Sequence, residues 1–182
     1  MVDYIAKIKP INADKIETQA HGIAIFSENG NSLHIHVEMF DTPANIEHWE
    51  HFHGFPDGKQ AHVPTLMQEV NHDGFIDLPE TEAVSGTTMV PFDDAPQEMN
   101  IPHDGYPVTD KYGHDKDVPL KDLQAKFKQA FGSDDLQLDK RVVYVHGVPA
   151  DLKLPSSVAG NVMSYDAHTT LPIAAGEIKL AH

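Results

Sequence analysis

The segment His21–Phe40, HGIAIFSENGNSLHIHVEMF, decides the fold class of this chain. At its centre, Asn29 and Gly30 accept the positive φ angles that a tight turn between two strands requires. On the C-terminal side, every second residue from Leu33 to Met39 is apolar, and the residues between them are largely polar. This alternation is typical of a strand with one buried face. The segment therefore predicts a β-hairpin.

The rest of the chain adds short strands and a single helix. Further strands are predicted over 4–9 and within 136–146. The stretch 92–118 is rich in proline and has no apolar period, which indicates a long loop. Residues 119–131, PLKDLQAKFKQAF, carry an apolar stripe at helical spacing, and Gly132 suits the end of that helix. Together these elements predict a single domain over 1–182, a mostly β, Greek-key β-sandwich or barrel with one inserted amphipathic helix.

The charge of the chain excludes several classes of partner. It holds 28 acidic and 13 basic residues, with a formal net charge of −15. Binding to nucleic acid phosphates requires clustered lysine and arginine, which this chain lacks, so we expect no nucleic acid partner. An anionic membrane surface is disfavoured for the same reason. Protein partners are not indicated, and a homodimer stays an open alternative.

The chain contains no cysteine, so neither a disulfide framework nor a thiolate metal site can form. No apolar run approaches the ~20 residues that span a bilayer. The first residues, MVDYIAKIKPINADK, lack the apolar core of a signal peptide. These features predict a cytoplasmic protein, with export followed by removal of a leader as the open alternative.

A second segment, 47–65 or EHWEHFHGFPDGKQAHVPT, has the spacing of a metal site. Residues two apart on a strand point to the same face roughly 6 to 7 Å apart, so His51 and His53 can share one ion. His48 faces the other way on such a strand and joins them only through a bend. The glycines and prolines that follow turn the chain and return His62 as a third or fourth ligand. Imidazole ligands suit copper or zinc, and the alternative is a histidine-rich surface loop.

Other histidines are interpreted as lying outside this site. His34 and His36 form another H-x-H pair, but they lie opposite the apolar face of their strand, which indicates two solvent-facing residues. His103 and His114 fall in the predicted loop. We do not group them with the site, because acidic, proline-rich loops tolerate histidine at any position.

The segment 69–80, EVNHDGFIDLPE, matches the spacing of a calcium loop. Gly74 takes the tight bend at its centre, and Pro79 departs from the usual pattern because it precedes the last ligand. The candidate oxygen ligands are Glu69, Asn71, Asp73, Asp77 and Glu80. The alternative interpretation is a polar turn between two strands.

Taken in order, these motifs resemble the copper/zinc superoxide dismutase fold and the related bacterial CHRD-like domains. The resemblance covers roughly 22–178 and rests on H-x-H-G, the histidine before Val63-Pro64, the late β-run ending in His-Gly, and the tail LPIAAGEI at 171–178. In that family the corresponding positions hold copper, and one bridges to zinc. The resemblance implies that His51, His53, His62 and His146 are the copper ligands, with His62 as the bridge.

Several departures from that family leave the function open. The family's intrasubunit disulfide cannot form without cysteine, the zinc subloop has no clear match, and the only arginine, Arg141, is not in the closing region. The first hypothesis is a metal-binding protein that holds copper or zinc. The second is a superoxide dismutase-type redox enzyme, and the third is a calcium-stabilised binding module without catalysis. An open coordination position favours the enzyme, and a closed four-histidine site favours a structural or storage role.

Overall fold

The structure is a computed structural model that describes all 182 residues, and its main element is an antiparallel sheet of eight strands. Strands β1 to β8 span Val2–Pro10, His21–Asn29, Ser32–Phe40, Glu50–Gly54, Thr87–Pro91, Tyr112–Pro119, Val142–His146 and Pro172–Leu180. Helices α1 to α4 span Ala13–Ile16, Leu78–Ser85, Leu120–Phe131 and Ala167–Thr170. Single 3-10 turns cover Leu66–Gln68, Pro96–Glu98 and Leu138–Lys140.

The strands follow the order β5-β4-β7-β8-β1-β2-β3-β6 across the sheet. The predicted hairpin is confirmed, because β2 pairs with β3 from His21 opposite Phe40 to Asn29 opposite Ser32. Gly30 makes the turn with a φ of 57°. The apolar residues of β3 from Leu33 to Met39 are fully buried, as their alternation predicted.

The sheet curls so that strands near its two ends contact each other. Strand β4 lies near one end of the order and β6 lies at the other end. Nevertheless, Glu50 of β4 accepts hydrogen bonds from His114 Nε2 at 2.6 Å and from the Tyr112 hydroxyl at 3.1 Å, both on β6. Lys116 of β6 also lies 3.4 Å from Asp94, which follows β5. The sheet is therefore a half-barrel closed by side chains.

The inner face of the half-barrel holds the main hydrophobic core. Phe26 packs edge-on against Phe52 and Phe92, with ring centroids 6.4 and 5.6 Å away. Helix α3 adds Leu123 and Phe127 to the same core. The predicted helix and its end are confirmed, because α3 stops before Gly132, which has a φ of 86°.

Two predictions about local structure were wrong. The predicted loop at 92–118 ends earlier, because Tyr112–Pro119 forms strand β6. Its sequence does not predict a strand, because three of its four inward residues have polar side chains rather than forming an apolar stripe: Tyr112 and His114 contact the buried Glu50, and Lys116 contacts the exposed Asp94. The second error is the prediction of a single helix, because a further helix, α2, begins after Asp77. Asp77 and Glu80 cap each other's backbone amides there, and this local pair supports the helix without an apolar stripe.

No helix of this structure is both long enough and apolar enough to cross a bilayer.

Candidate metal centre

The candidate site lies on the outer face of β4 and β7, under the loops that cover this end of the sheet. Alternation along β4 places Phe52 in the main core and sends the neighbouring residues His51 and His53 to the opposite face. Along β7, His146 shares the outer face with Tyr144, which lies opposite His51 in the strand register. Strand pairing therefore brings the predicted H-x-H pair and the late-strand histidine together.

Three histidines form a compact, buried cluster. One ring nitrogen from each of His51, His53 and His146 lies within 4.8 Å of the other two. The ring centroids are 6.0 Å apart for His51 and His53, 5.2 Å for His51 and His146, and 5.7 Å for His53 and His146. Each residue is at most 2% exposed. These three side chains could hold one metal ion.

Hydrogen bonds leave a free lone pair on two of these rings. The Tyr106 hydroxyl donates to the carbonyl of Ile101 at 2.7 Å, so it accepts from His51 Nε2–H at 3.1 Å. His146 Nδ1–H donates to the carbonyl oxygen of Thr170 at 2.8 Å. These contacts fix the tautomers, with a lone pair on His51 Nδ1 and on His146 Nε2. Both nitrogens are buried and have no hydrogen-bond partner, and the same holds for His53 Nδ1.

Burial also keeps the cluster uncharged. Loss of solvation lowers the pKa of His51 and His53 well below the ordinary value, and the neighbouring histidines lower it further. Burial lowers the pKa of His146 to about 4. A metal ion binds neutral imidazole, so at neutral pH these rings do not need to lose a proton before they bind one.

A small cavity lies beside two of the three rings. Its volume of about 20 Å³ is enough for roughly one water molecule. Its walls are Trp49, His51, Leu78, Thr88, Ile101, His146, Val162 and Thr170. Trp49 is itself covered by Tyr165, whose ring centroid is 4.8 Å away in an edge-on contact. A metal ion at the cluster would therefore have room for one further ligand of about the size of water.

His48 lies outside the group of close ligand atoms, although the sequence included it among the candidate ligands. His48 precedes strand β4, and its ring is fully buried. Its Nδ1 lies 3.0 Å from the carbonyl oxygen of His146, and its Nε2 lies 2.7 Å from that of Pro43. Both nitrogens face backbone carbonyl oxygens, so the His48 ring contacts the backbone of His146 and Pro43 and not the cluster.

The backbone of His62 lies near the site, but its ring points elsewhere. The Ser85 hydroxyl donates to the His62 carbonyl at 2.7 Å and lies 2.6 Å from the Tyr144 hydroxyl, and Tyr144 contacts the cluster. The His62 side chain is 61% exposed and its Nδ1 lies 3.0 Å from Glu177. The structure therefore does not bring His62 to the cluster, where the resemblance had implied a bridging ligand.

The segment 69–80 makes the predicted bend, with Gly74 at a φ of 88°. Its oxygen-bearing side chains, however, accept hydrogen bonds from backbone amides of this protein. They are Glu69, Asn71, Asp73, Asp77 and Glu80. The histidine cluster is the one group of three or more ligating side chains with atoms as close as 4.8 Å. The structure therefore turns these oxygens towards the backbone and not towards a common point for calcium.

Sequence reasoning did not find the residues that orient the cluster. Tyr106 lies in an irregular loop, and Thr170 acts through its carbonyl oxygen, which leaves no signal in the sequence. Of the two histidines assigned to the predicted loop, His103 contacts the carbonyl of Asp104 and His114 contacts Glu50. Comparison of the chain with protein-family models and with curated proteins finds no match.

Proposed function

We propose that this protein binds one copper or zinc ion through His51, His53 and His146. One observation carries the proposal, namely three buried histidines that bring one ring nitrogen each within 4.8 Å of the other two and that each have a ring nitrogen without a hydrogen-bond partner. A buried polar group left unpaired destabilises the folded protein by about 1–3 kcal/mol. This cluster contains three such groups. Coordination of a single ion by all three lone pairs removes that penalty.

The donor set selects the class of metal. Three imidazole nitrogens, without a thiolate or carboxylate, suit zinc and copper and disfavour calcium and magnesium. When bound, copper would supply one-electron chemistry and zinc would supply a Lewis acid. The protein holds the ligand rings in place through Tyr106 and Thr170, and its small cavity restricts a further ligand to about the size of water.

We further propose that the fold is of the Greek-key, superoxide dismutase-like type. Strand β6 lies beside β3, and β5 lies beside β4. If the free edges of β5 and β6 met, the order would be β3-β6-β5-β4, which is a Greek key. The positions of the three histidines, two on β4 and one at the end of β7, agree with the resemblance seen in the sequence. The ring of His62 does not agree with it.

A redox enzyme of the superoxide dismutase type is the second candidate function. The cavity beside His51 and His146 favours it, because a three-histidine ion with room for one small ligand has the open position that catalytic metal sites keep. Superoxide is small enough to match such a space. The net charge of −15 acts against it, because it repels an anionic substrate.

Metal analysis of protein made without a histidine tag tests the proposal. Apo-protein is loaded with zinc or copper and desalted, and the tightly held metal is measured by elemental analysis. We expect one equivalent in the wild type and in His62→Ala, which is the matched control because its ring lies outside the cluster. We expect less than a tenth of an equivalent in His53→Ala and in His146→Ala. Equal metal in all four proteins would contradict the proposal.

A further inference from the structure

A groove on the outer face of β1 and β8 is lined by three lysines. They are Lys7, Lys9 and Lys179, and none of the buried histidines lines this groove. Its volume is about 410 Å³, which is within the range of small-molecule sites. The chain has 13 basic residues against 28 acidic ones. Three lysines in one groove therefore create a local positive field on an acidic protein.

Strand pairing places the three lysines around one stretch of the sheet. Ile5, Lys7 and Lys9 alternate with buried residues along β1, so they share its outer face. Lys179 of β8 lies opposite Ile5 in the strand register. From the spacing along and between strands, the stem of Lys7 starts roughly 7 Å from that of Lys9 and roughly 8 Å from that of Lys179. Ammonium groups on flexible four-carbon stems can therefore reach one anion between them.

The carboxylates of the chain leave two of these lysines free. The lysine ion pairs of the protein do not involve Lys7 or Lys9. Glu177 is the one acidic residue that lines the groove. One of its oxygens lies 3.0 Å from His62 Nδ1, and the other lies 3.8 Å from Lys179 Nζ. The ammonium groups of Lys7 and Lys9 are therefore available to an anion from solution.

Apolar side chains line the groove beside the lysines. They are Ile5, Val63 and Ala175, and the last two belong to the smaller hydrophobic cluster of the protein. An apolar surface next to ammonium groups suits a ligand with a charged head and an apolar body. We infer that this groove binds a small organic dianion, either a phosphate monoester or a dicarboxylate, that carries an apolar group. The site is separate from the buried histidines and requires no metal.

The charge of the protein restricts this ligand to a small one. The net charge of −15 repels an extended polyanion that would pass over the acidic surface around the groove. At physiological salt, charges are screened beyond about 8 Å. A short anion held in the groove therefore interacts mainly with the three lysines.

NMR titration of metal-free protein with phenyl phosphate tests the inference. Near neutral pH this probe carries about two negative charges, since the second pKa of a phosphate monoester is about 6. We expect a Kd of about 1 mM, with shifts of the backbone amide signals of Gly176 and Glu177. Inorganic phosphate, which lacks the apolar body, should bind more weakly. Isophthalate offers two carboxylates instead, so the tighter of the two aromatic probes identifies the preferred head group.

Four variants assign the binding to the groove. Lys7→Gln and Lys9→Gln should each weaken phenyl phosphate binding about threefold, in the range of exposed ion pairs, and the double variant about tenfold. Both side chains are exposed, so these variants should keep the fold, which thermal melts check. Glu177→Gln should strengthen binding, because it removes the one carboxylate of the groove. Lys121→Gln is the matched control, because it removes the same charge from an exposed lysine of α3 outside the groove.

Three results would overturn the inference. The first is that the signals of Gly176 and Glu177 stay unchanged at tens of millimolar of either aromatic probe. The second is that the double lysine variant binds phenyl phosphate as tightly as Lys121→Gln does. The third is that inorganic phosphate binds as tightly as phenyl phosphate, because the apolar side chains of the groove would then have no part in recognition.

Discussion

His114→Ala should destabilise this protein strongly, because it removes one hydrogen-bond partner of a buried carboxyl group. Glu50 is fully buried in the half-barrel and accepts from His114 at 2.6 Å and from Tyr112 at 3.1 Å. Removal of a partner that leaves a buried polar group short of a hydrogen bond costs about 1–3 kcal/mol. Because Glu50 is fully buried and cannot turn to water, we expect the upper end, about 3 kcal/mol of unfolding free energy.

Urea unfolding of the metal-free protein at pH 7.5 measures this loss. In thermal melts of a chain of this length, 1 kcal/mol of unfolding free energy corresponds to about 2–4 °C of melting temperature. The melting temperature of His114→Ala should therefore fall by about 6–12 °C. His103→Ala is the control, since that ring contacts only the carbonyl of Asp104, and it should stay within about 0.5 kcal/mol. Glu50→Gln combined with His114→Ala should cost less than the sum of the two single changes. A loss below about 1 kcal/mol in His114→Ala would refute the reasoning.

Four other outcomes follow from the site and its surroundings. Tyr106→Phe should weaken zinc binding at the buried cluster about tenfold, because His51 loses the hydroxyl that orients it, and Tyr165→Phe should not when both are titrated. In metal-free protein the pKa of His146 is lowered to about 4 from an ordinary 6.5, so it contributes stability above pH 6.5 that is lost as the pH falls towards 4. Urea unfolding at pH 7.5 and 5 should show this loss in the wild type and a smaller one in His146→Ala. Asp77→Ala should cost about 1–2 kcal/mol through the lost helix cap, equally with and without calcium in thermal melts. Copper-loaded protein should dismutate superoxide slowly, and a decay rate near about 10⁹ M⁻¹s⁻¹ that collapses in His53→Ala would contradict this.

Local patterns predicted those parts of the fold that depend on local chemistry. The β2–β3 hairpin needs only the Asn29-Gly30 turn and an alternating strand, and α3 needs only an apolar stripe and Gly132. Strand β6 carries no such pattern, because two of its inward side chains, Tyr112 and His114, bind Glu50, which is more than sixty residues away in the chain. Tyr112–Pro119 is therefore a strand because of its pairing with β3 and its contacts with distant residues, which the local sequence does not show.

The candidate site was predictable to a similar degree. Same-face spacing identified His51 and His53, and the resemblance added His146, which the strand pairing brings beside them. The direction of the His62 ring depends on Glu177, 115 residues later in the chain, so nothing near His62 reveals it.

The oxygen spacing in the segment 69–80 allows two interpretations. Asp77 and Glu80 have the spacing of calcium ligands, and they also have the spacing of a helix cap. The two interpretations use the same side chains, so only the position of the backbone amides distinguishes them.

The enclosure of the buried cluster would affect how fast a metal ion exchanges there rather than how tightly it binds. A cavity of about 20 Å³ behind Trp49 and Ile101 is too small for a hydrated ion to enter whole. Capture and release of an ion at the proposed site would then require the covering loops to part, and its residence time would follow the frequency of that opening. Two proteins with the same equilibrium affinity would differ in how long they keep their metal if the contact between Trp49 and Tyr165 differed. If the proposed ion is bound there, brief changes in the surrounding metal concentration should alter its occupancy only slowly.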